Sequence, residues 1–426
     1  MTEVIKHEYS SNILSAEEID EAPEEFGTFS TYEEFQTRAS RRKDVGMDDP
    51  LSAKLGEFDL NDPANENEEL QEHERYMYIP AVTKDTLECE WQTLFGCENF
   101  KKGLKNLAYD GRLRDCTRFR GVCWRIFLEC LPEDSNCWLD AVSESRKTYK
   151  NLKSKLLVDP YSNVLSKENV QVFNPLSQES DSPWTQYFED KKLHEVIHQD
   201  LDRLFPGMHY FQSKKIKDIL LHILFCYART NPNVGYKQGM HEILAPIVFV
   251  LEYDSEVYEF LDSSDNKLMK NLINPEFLES DAFCLFERLM DVIEPWYARG
   301  DLPSIPSKQT FDPSIVPFME EQPLLPPTAV VRKLNRIQEN MLKKYDTVLY
   351  NHLRDMNIEP QLYGLRWVRL LYGREFTTME DILTLWDGIF ADGLSLDLVD
   401  YVYLSLVCSK RRKCNNTYYL FLCALY

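Results

Sequence analysis

The chain is 426 residues long, enough for one large domain or two ordinary ones, and its formal net charge of −22 argues against a nucleic-acid partner. No apolar run approaches the roughly 20 residues that a membrane helix needs, and the start Met-Thr-Glu-Val-Ile-Lys-His-Glu does not read as a signal peptide. The 11 cysteines are odd in number and lack a Cys-x-x-Cys pair, which suits reduced thiols in the cytosol rather than a disulfide frame or a zinc cluster.

Residues 1–85 form the first segment. The first 80 residues hold 7 Lys/Arg against 21 Asp/Glu, a local balance of −14, with poor apolar periodicity. We expect a largely disordered acidic extension, with short helical pieces around 15–22 and 31–38. Residues 86–426 read as all-α. Glu88-Cys-Glu-Trp91-Gln-Thr-Leu94-Phe95 opens this part with two competing readings. Its acids, Trp91 and Leu94 have the form of a segment that adds a strand to a partner, whereas Trp91, Leu94 and Phe95 also make the apolar face of a first helix, the reading we favour. Next, Gly111-Arg-Leu-Arg-Asp-Cys-Thr-Arg-Phe-Arg-Gly-Val-Cys-Trp124 leads into apolar residues at helical spacing, from Phe119 to Cys130.

Leu193-His-Glu-Val-Ile-His-Gln-Asp-Leu-Asp-Arg-Leu-Phe-Pro206 carries two signatures on one helix. At 100° per residue, Leu193, Val196, Ile197, Leu201 and Leu204 make one apolar stripe. Asp200 falls inside that stripe, where a carboxylate needs a partner, and Arg203 falls at its edge, free to leave the core. Pro206 predicts a helix end soon after Arg203. His194-Glu195-x-x-His198 also has the spacing of a zinc peptidase, but Leu201 and Leu204 occupy the places of the metzincin Gly and His. The plainer expectation is two solvated histidines.

Ile216, Ile219, Leu220, Ile223, Leu224 and Tyr227 predict a further helix. After the turn signal Asn231-Pro-Asn-Val-Gly235 comes Tyr236-Lys-Gln238-Gly-Met240, then the apolar run 243–251. Gln238 is expected on a rigid loop or first helical turn, with Gly239 admitting a close backbone. Residues 252–275 read as an acidic surface insertion before a helix at 278–294. Residues 299–327 hold seven prolines and read as an extended loop. Val330, Leu334, Ile337, Met341, Tyr345, Val348 and His352 predict one long amphipathic helix.

Together these segments resemble the TBC-domain family of Rab GTPase-activating proteins over roughly residues 90–407. The resemblance rests on Ile197-x-x-Asp200-x-x-Arg203 followed by Tyr236-x-Gln238, on Gly111–Trp124, and on Tyr363-Gly-Leu-Arg-Trp367, Phe376, Leu385-Trp-Asp387 and Gly393. Within the family, one subfamily is approached further through Asn174-Pro-Leu-Ser-Gln178, Phe225-Cys-Tyr-Ala-Arg229, Tyr236–Val250 and Leu365–Arg369. The resemblance implies a V-shaped fold of two helical subdomains, about 100–251 and 278–426. It implies that Arg203 is an arginine finger and Gln238 a glutamine finger acting on a Rab GTPase in its GTP form. GTP and Mg²⁺ would be carried by that partner, with no cofactor tightly bound to this chain. Asp200 would position Arg203, and Tyr236 would pack against the loop or the bound GTPase.

In the resembled subfamily, insertions help dock the retromer coat, and a segment before the TBC domain binds ubiquitin-like autophagy modifiers, here through Trp91 and Leu94. The resemblance therefore implies a cytoplasmic protein peripheral to endosomal or autophagosomal membranes. A non-catalytic TBC scaffold is the competing reading. The chain departs from the family after about Val407, where Lys410-Arg-Arg-Lys-Cys-Asn-Asn-Thr417 and an apolar run to Tyr426 stand in place of an expected final helix and tail. A splice form or a gene-model error would account for this. Asn415-Asn-Thr417 is a glycosylation sequon that a cytosolic chain would leave unused.

Overall fold

The structure is a computed structural model that describes residues 83–97, 99–116, 118–157, 183–261, 267–297, 328–409 and 411. They lie within one compact unit, Met77–Tyr426. The acidic extension to residue 82, the segment 174–178, the proline-rich loop 299–327 and the chain end with its sequon fall outside the described residues.

Among the described residues the regular structure is entirely helical. Helix α1 (Lys84–Phe95) starts at a reciprocal cap between Thr83 and Thr86, and buries Leu87 and Leu94. Helix α2 (Phe100–Tyr109) and helix α3 (Arg120–Phe127) follow, and α3 is buried along its whole length. Helix α4 (Trp138–Leu156) buries Trp138, Val142 and Tyr149. Helix α5 (Pro183–Asp202) packs on helix α6 (Lys214–Thr230). Helix α7 (Met240–Ser255) is buried on nearly every side, as its unbroken apolar run requires, and packs against α3, α5 and α6.

After a short helix α8 (Lys267–Leu272), helix α9 (Leu278–Tyr297) lies against α4, α6 and α7. The second half continues with α10 (Ala329–Arg336), α11 (Thr347–Asp355), α12 (Gln361–Arg369), α13 (Met379–Asp392) and α14 (Leu398–Ser409). Helix α13 returns to pack on α2 and α3. There the indole of Trp124 donates to Asp387 Oδ1 at 2.7 Å, and Arg120 reaches Glu380 at 2.8 Å. The early and late motif segments are therefore parts of one core.

Three expectations are corrected. The long helix predicted from Val330 to His352 is broken. A π-helical segment, Ile337–Leu342, follows α10, and at Asp346 the chain leaves helical geometry, with φ −142° and ψ 79°. The Asp346 side chain caps α11 by accepting from the Leu349 amide at 2.9 Å, so helical phase restarts there. Tyr345 and Val348, placed on the core face by an unbroken phase, are exposed.

Residues 252–275 are not simply a surface insertion. Helix α7 runs on to Ser255, and Val257, Leu261, Met269, Leu272 and Ile273 are buried. Helix α8 packs on α4, pinned where Arg125 donates to Leu272 O and Arg146 to Asn271 O. Finally, Val196 is exposed. The buried arc of α5 spans only about 100°, from Asp200 through Ile197 to Leu201, and Val196 lies beyond it on the same side as Arg203.

Candidate functional site at the end of helix α5

Helix α5 stops at Asp202, and the chain turns through Phe205, whose φ of 37° is left-handed, into Pro206. The side-chain amide of Gln212 donates to Leu204 O at 2.9 Å and closes this end. The turn puts Arg203 just past the helix. Its side chain is 57% exposed, while Asp200 is 5% exposed. The Arg203 guanidinium pairs with Asp200 Oδ1. The acid is thus in the core and the arginine faces solvent, as the helical angles predict.

The other oxygen of Asp200 connects to the second motif. The Tyr236 hydroxyl donates to Asp200 Oδ2 at 2.6 Å. Burial, and then the hydrogen bond to Asp200, hold the phenol well above its ordinary pKa, so it remains a donor. Tyr236 was expected to pack against its loop or a bound partner; the structure gives its hydroxyl a task inside the chain. One carboxylate therefore binds Arg203, just past the end of α5, to the loop that carries Gln238. Gln238 is exposed in the turn just before α7.

Gly239 follows with φ +103°, a conformation that favours glycine. The sequence suggested a close backbone at this position, but what approaches is side chain. A Cβ there would lie 2.8 Å from Leu370 Cδ2 and 3.8 Å from Tyr297 Oη. Tyr297 in turn donates to Arg369 O at 2.6 Å. The loop thus rests on the turn after α12, where Leu371 and Tyr372 hold φ of 44° and 64° and are fully buried. Left-handed backbone at two non-glycine residues persists only where surrounding packing fixes it.

Sequence reasoning missed three residues of this site. His241 is buried, with Nδ1 3.0 Å from the Tyr236 hydroxyl. Glu242 is buried beside it and accepts two bonds from Arg374, at 2.5 and 2.6 Å. A signal was available: His241 and Glu242 open a helix that has no polar face, so both must be buried and partnered. Arg374 gave no comparable signal.

The two histidines of the zinc signature are engaged separately. The His194 ring lies 4.4 Å from Phe225, half-buried, and His198 Nδ1 lies 3.1 Å from Asp202 Oδ2 on the exposed side. Only His198 matches the expectation of a solvated histidine. No group of three His, Cys, Asp or Glu able to hold a metal occurs among the described residues. Trp91 and Leu94 lie away from this site. Leu94 is buried, and the Trp91 ring packs on Phe95, Phe119 and Trp138 with centroids 4.5, 5.2 and 6.3 Å away. In this structure they form the inner face of α1, and adding a strand to a partner would require that helix to come apart.

The family model of the Rab-GTPase-TBC domain matches residues 117–301 and 323–413. TBC1 domain family member 5 of Homo sapiens is 44% identical over 322 residues, covering 75% of this chain and 40% of that protein. TBC1 domain family member 5 homolog B of Dictyostelium discoideum is 29% identical over 393 residues, covering 71% of this chain and 37% of that protein. The chain thus spans about two fifths of the length of these relatives. Among solved structures, the Ypt/Rab-GAP domain of Gyp1p superposes with a TM-score of 0.54 at 18% identity, covering 80% of this chain and 95% of that one, a likeness of fold. The family match covers more than half of the residues and includes Arg203, Tyr236 and Gln238, so the chain belongs to the Rab-GTPase-TBC domain family.

Proposed function

We propose that this chain stimulates GTP hydrolysis by a Rab GTPase, with Arg203 and Gln238 supplied in trans. Hydrolysis spreads negative charge over the phosphoryl oxygens as the bond to the leaving group breaks, and the attacking water must be held in line. A guanidinium is suited to the first task because its charge is permanent and its planar fork matches phosphate oxygens. A side-chain amide is suited to the second, since it can both donate to and accept from water.

One observation carries the reading: Asp200 binds Arg203 with one oxygen and Tyr236 with the other. It preorganises an exposed arginine and fixes the loop that presents an exposed glutamine. In this reading GTP and Mg²⁺ arrive with the GTPase, and the chain holds no tightly bound cofactor. The family resemblance extends the proposal to a late-endosomal Rab and to work at endosomal membranes, with retromer and autophagy modifiers as further partners. Among the described residues no helix is long and apolar enough to cross a membrane.

The test is single-turnover GTP hydrolysis across a panel of Rab proteins with wild type, Arg203→Ala and Gln238→Ala. Acceleration of one Rab, abolished by both substitutions, is the expected result. A wild-type rate from Arg203→Ala, or no response from any Rab, defeats the catalytic reading and leaves a binding scaffold.

A further inference from the structure

We infer that His241 is a positioning residue of this site, donating its Nδ1 proton to the Tyr236 hydroxyl so that Tyr236 can commit its own proton to Asp200 and so orient Arg203. The inference rests on the proposed function and goes beyond it, because His241 touches neither finger side chain.

Proton counting supports the direction of each bond. The Tyr236 hydroxyl has one proton, and a carboxylate oxygen 2.6 Å away can only accept it. The contact of 3.0 Å between the same hydroxyl and His241 Nδ1 must then be filled by a proton on the ring nitrogen. Burial holds the His241 pKa below its ordinary value, so the ring is neutral and has one N–H to place. The other ring face explains why it is not on Nε2. Glu242 Oε1 is 3.7 Å from Nε2, too far for a hydrogen bond, and both Glu242 oxygens are taken by Arg374. Asp200 Oδ2, 3.8 Å from Nδ1, is the remaining acid beside the ring, and Arg203 and Arg374 are the nearby cations.

The result is a directed chain: His241 to Tyr236, Tyr236 to Asp200, and Arg203 to the opposite oxygen of Asp200. Without the histidine donor, the Tyr236 oxygen loses a buried partner, and its hydroxyl is no longer confined to one rotor position. Asp200 would then be free to turn, taking Arg203 with it. The cost appears in the transition state, where the guanidinium must sit correctly, more than in partner binding.

The experiment compares His241→Asn with His241→Leu and His241→Gln. Asparagine places an N–H near the Nδ1 position, leucine has none, and glutamine moves the amide toward the level of Nε2. Single-turnover rates and KM are measured for the Rab that responds best, with thermal unfolding as a check on folding. We expect His241→Leu and His241→Gln to lose about tenfold in kcat with KM within about twofold, and His241→Asn to stay within about threefold of wild type. Equal rates for the asparagine and glutamine variants, when both are folded, overturn the relay. That pair decides alone if the leucine variant does not fold. Arg203→Ala is run in parallel. If it is inactive while every His241 variant matches wild type, the relay alone is wrong. If it keeps the wild-type rate, the parent reading fails and the relay with it.

Discussion

Two arginine–aspartate arrangements in this molecule use the same chemistry for opposite ends. At Asp281 on α9 both partners are enclosed. Arg146 of α4 donates from Nε and Nη2 at 2.7 Å each, Arg125 of α3 adds a bond at 3.0 Å, and all three side chains are less than 10% exposed. The guanidiniums also satisfy Leu272 O and both oxygens of Asn271, so three helices and the segment after α7 are locked together. At Asp200 only the acid is enclosed. The same kind of pair becomes a mount when its cation is left in solvent, because an exposed guanidinium keeps the capacity to bind another anion.

The comparison is broken most sharply by removing the exposed cation. Arg203→Ala is expected to lower the stimulated GTP hydrolysis rate by about 10³–10⁵ while costing about 1–3 kcal/mol of stability, since the enclosed Asp200 loses its cation but keeps the Tyr236 hydroxyl. Arg203→Lys should recover little of the rate, because a point charge lacks the planar fork. Single-turnover kinetics beside urea unfolding separate the two effects. A large loss of stability with an intact rate would place Arg203 with the locks.

The converse substitution is Asp281→Ala. It leaves two guanidiniums buried without their acid, and about 3–5 kcal/mol of stability should be lost. Activity measured well below the unfolding midpoint should change little, because the lock is not bonded to Arg203 or Gln238. A rate loss in fully folded protein would mean that the lock also shapes the site. Next in size is Gly239→Ala. The φ of +103° and the contact with Leu370 predict a cost of about 1–3 kcal/mol, read by urea unfolding. Because the strained residue adjoins Gln238, the rate should fall too, unlike that of Asp281→Ala.

The difference between lock and mount was half legible in the sequence. Helical angles alone put Asp200 in the core and Arg203 at the rim, because one helix fixes both. They could not show that Tyr236 and His241 reach the same carboxylate, since that depends on how α5 and the start of α7 pack. The Asp281 lock was invisible for the same reason: its acid lies on a helix far along the chain from the two arginines that it binds. Periodicity misled where a polar residue resets the phase, as Asp346 does between α10 and α11. It also failed at 252–275, where Val257 and Leu261 stand among acidic and polar residues and the apolar positions of 268–273 span too few residues to establish a helical period.

Glu90 sharpens the comparison at the smallest scale, as an acid partly enclosed with no enclosed cation bonded to it. Its Oε1 accepts the Arg118 amide at 2.5 Å. Burial raises its pKa from 4.5 to about 7, with the amide and the Arg118 charge opposing that rise. A folded pKa above the unfolded value means that the folded chain holds the proton more tightly. The stability linked to that proton is complete below about pH 4.5 and is lost as the pH rises through about 7. Glu90→Gln imitates the protonated acid and can still accept from the Arg118 amide. It should therefore match wild type near pH 4.5 and exceed it by about 1–2 kcal/mol at pH 8, in urea unfolding followed across that range. A gap that stays constant with pH would mean that Glu90 does not titrate in this window. A wild type more stable at pH 8 than the variant would mean that the Arg118 charge outweighs burial, making Glu90 a working ion pair closer in kind to Asp200.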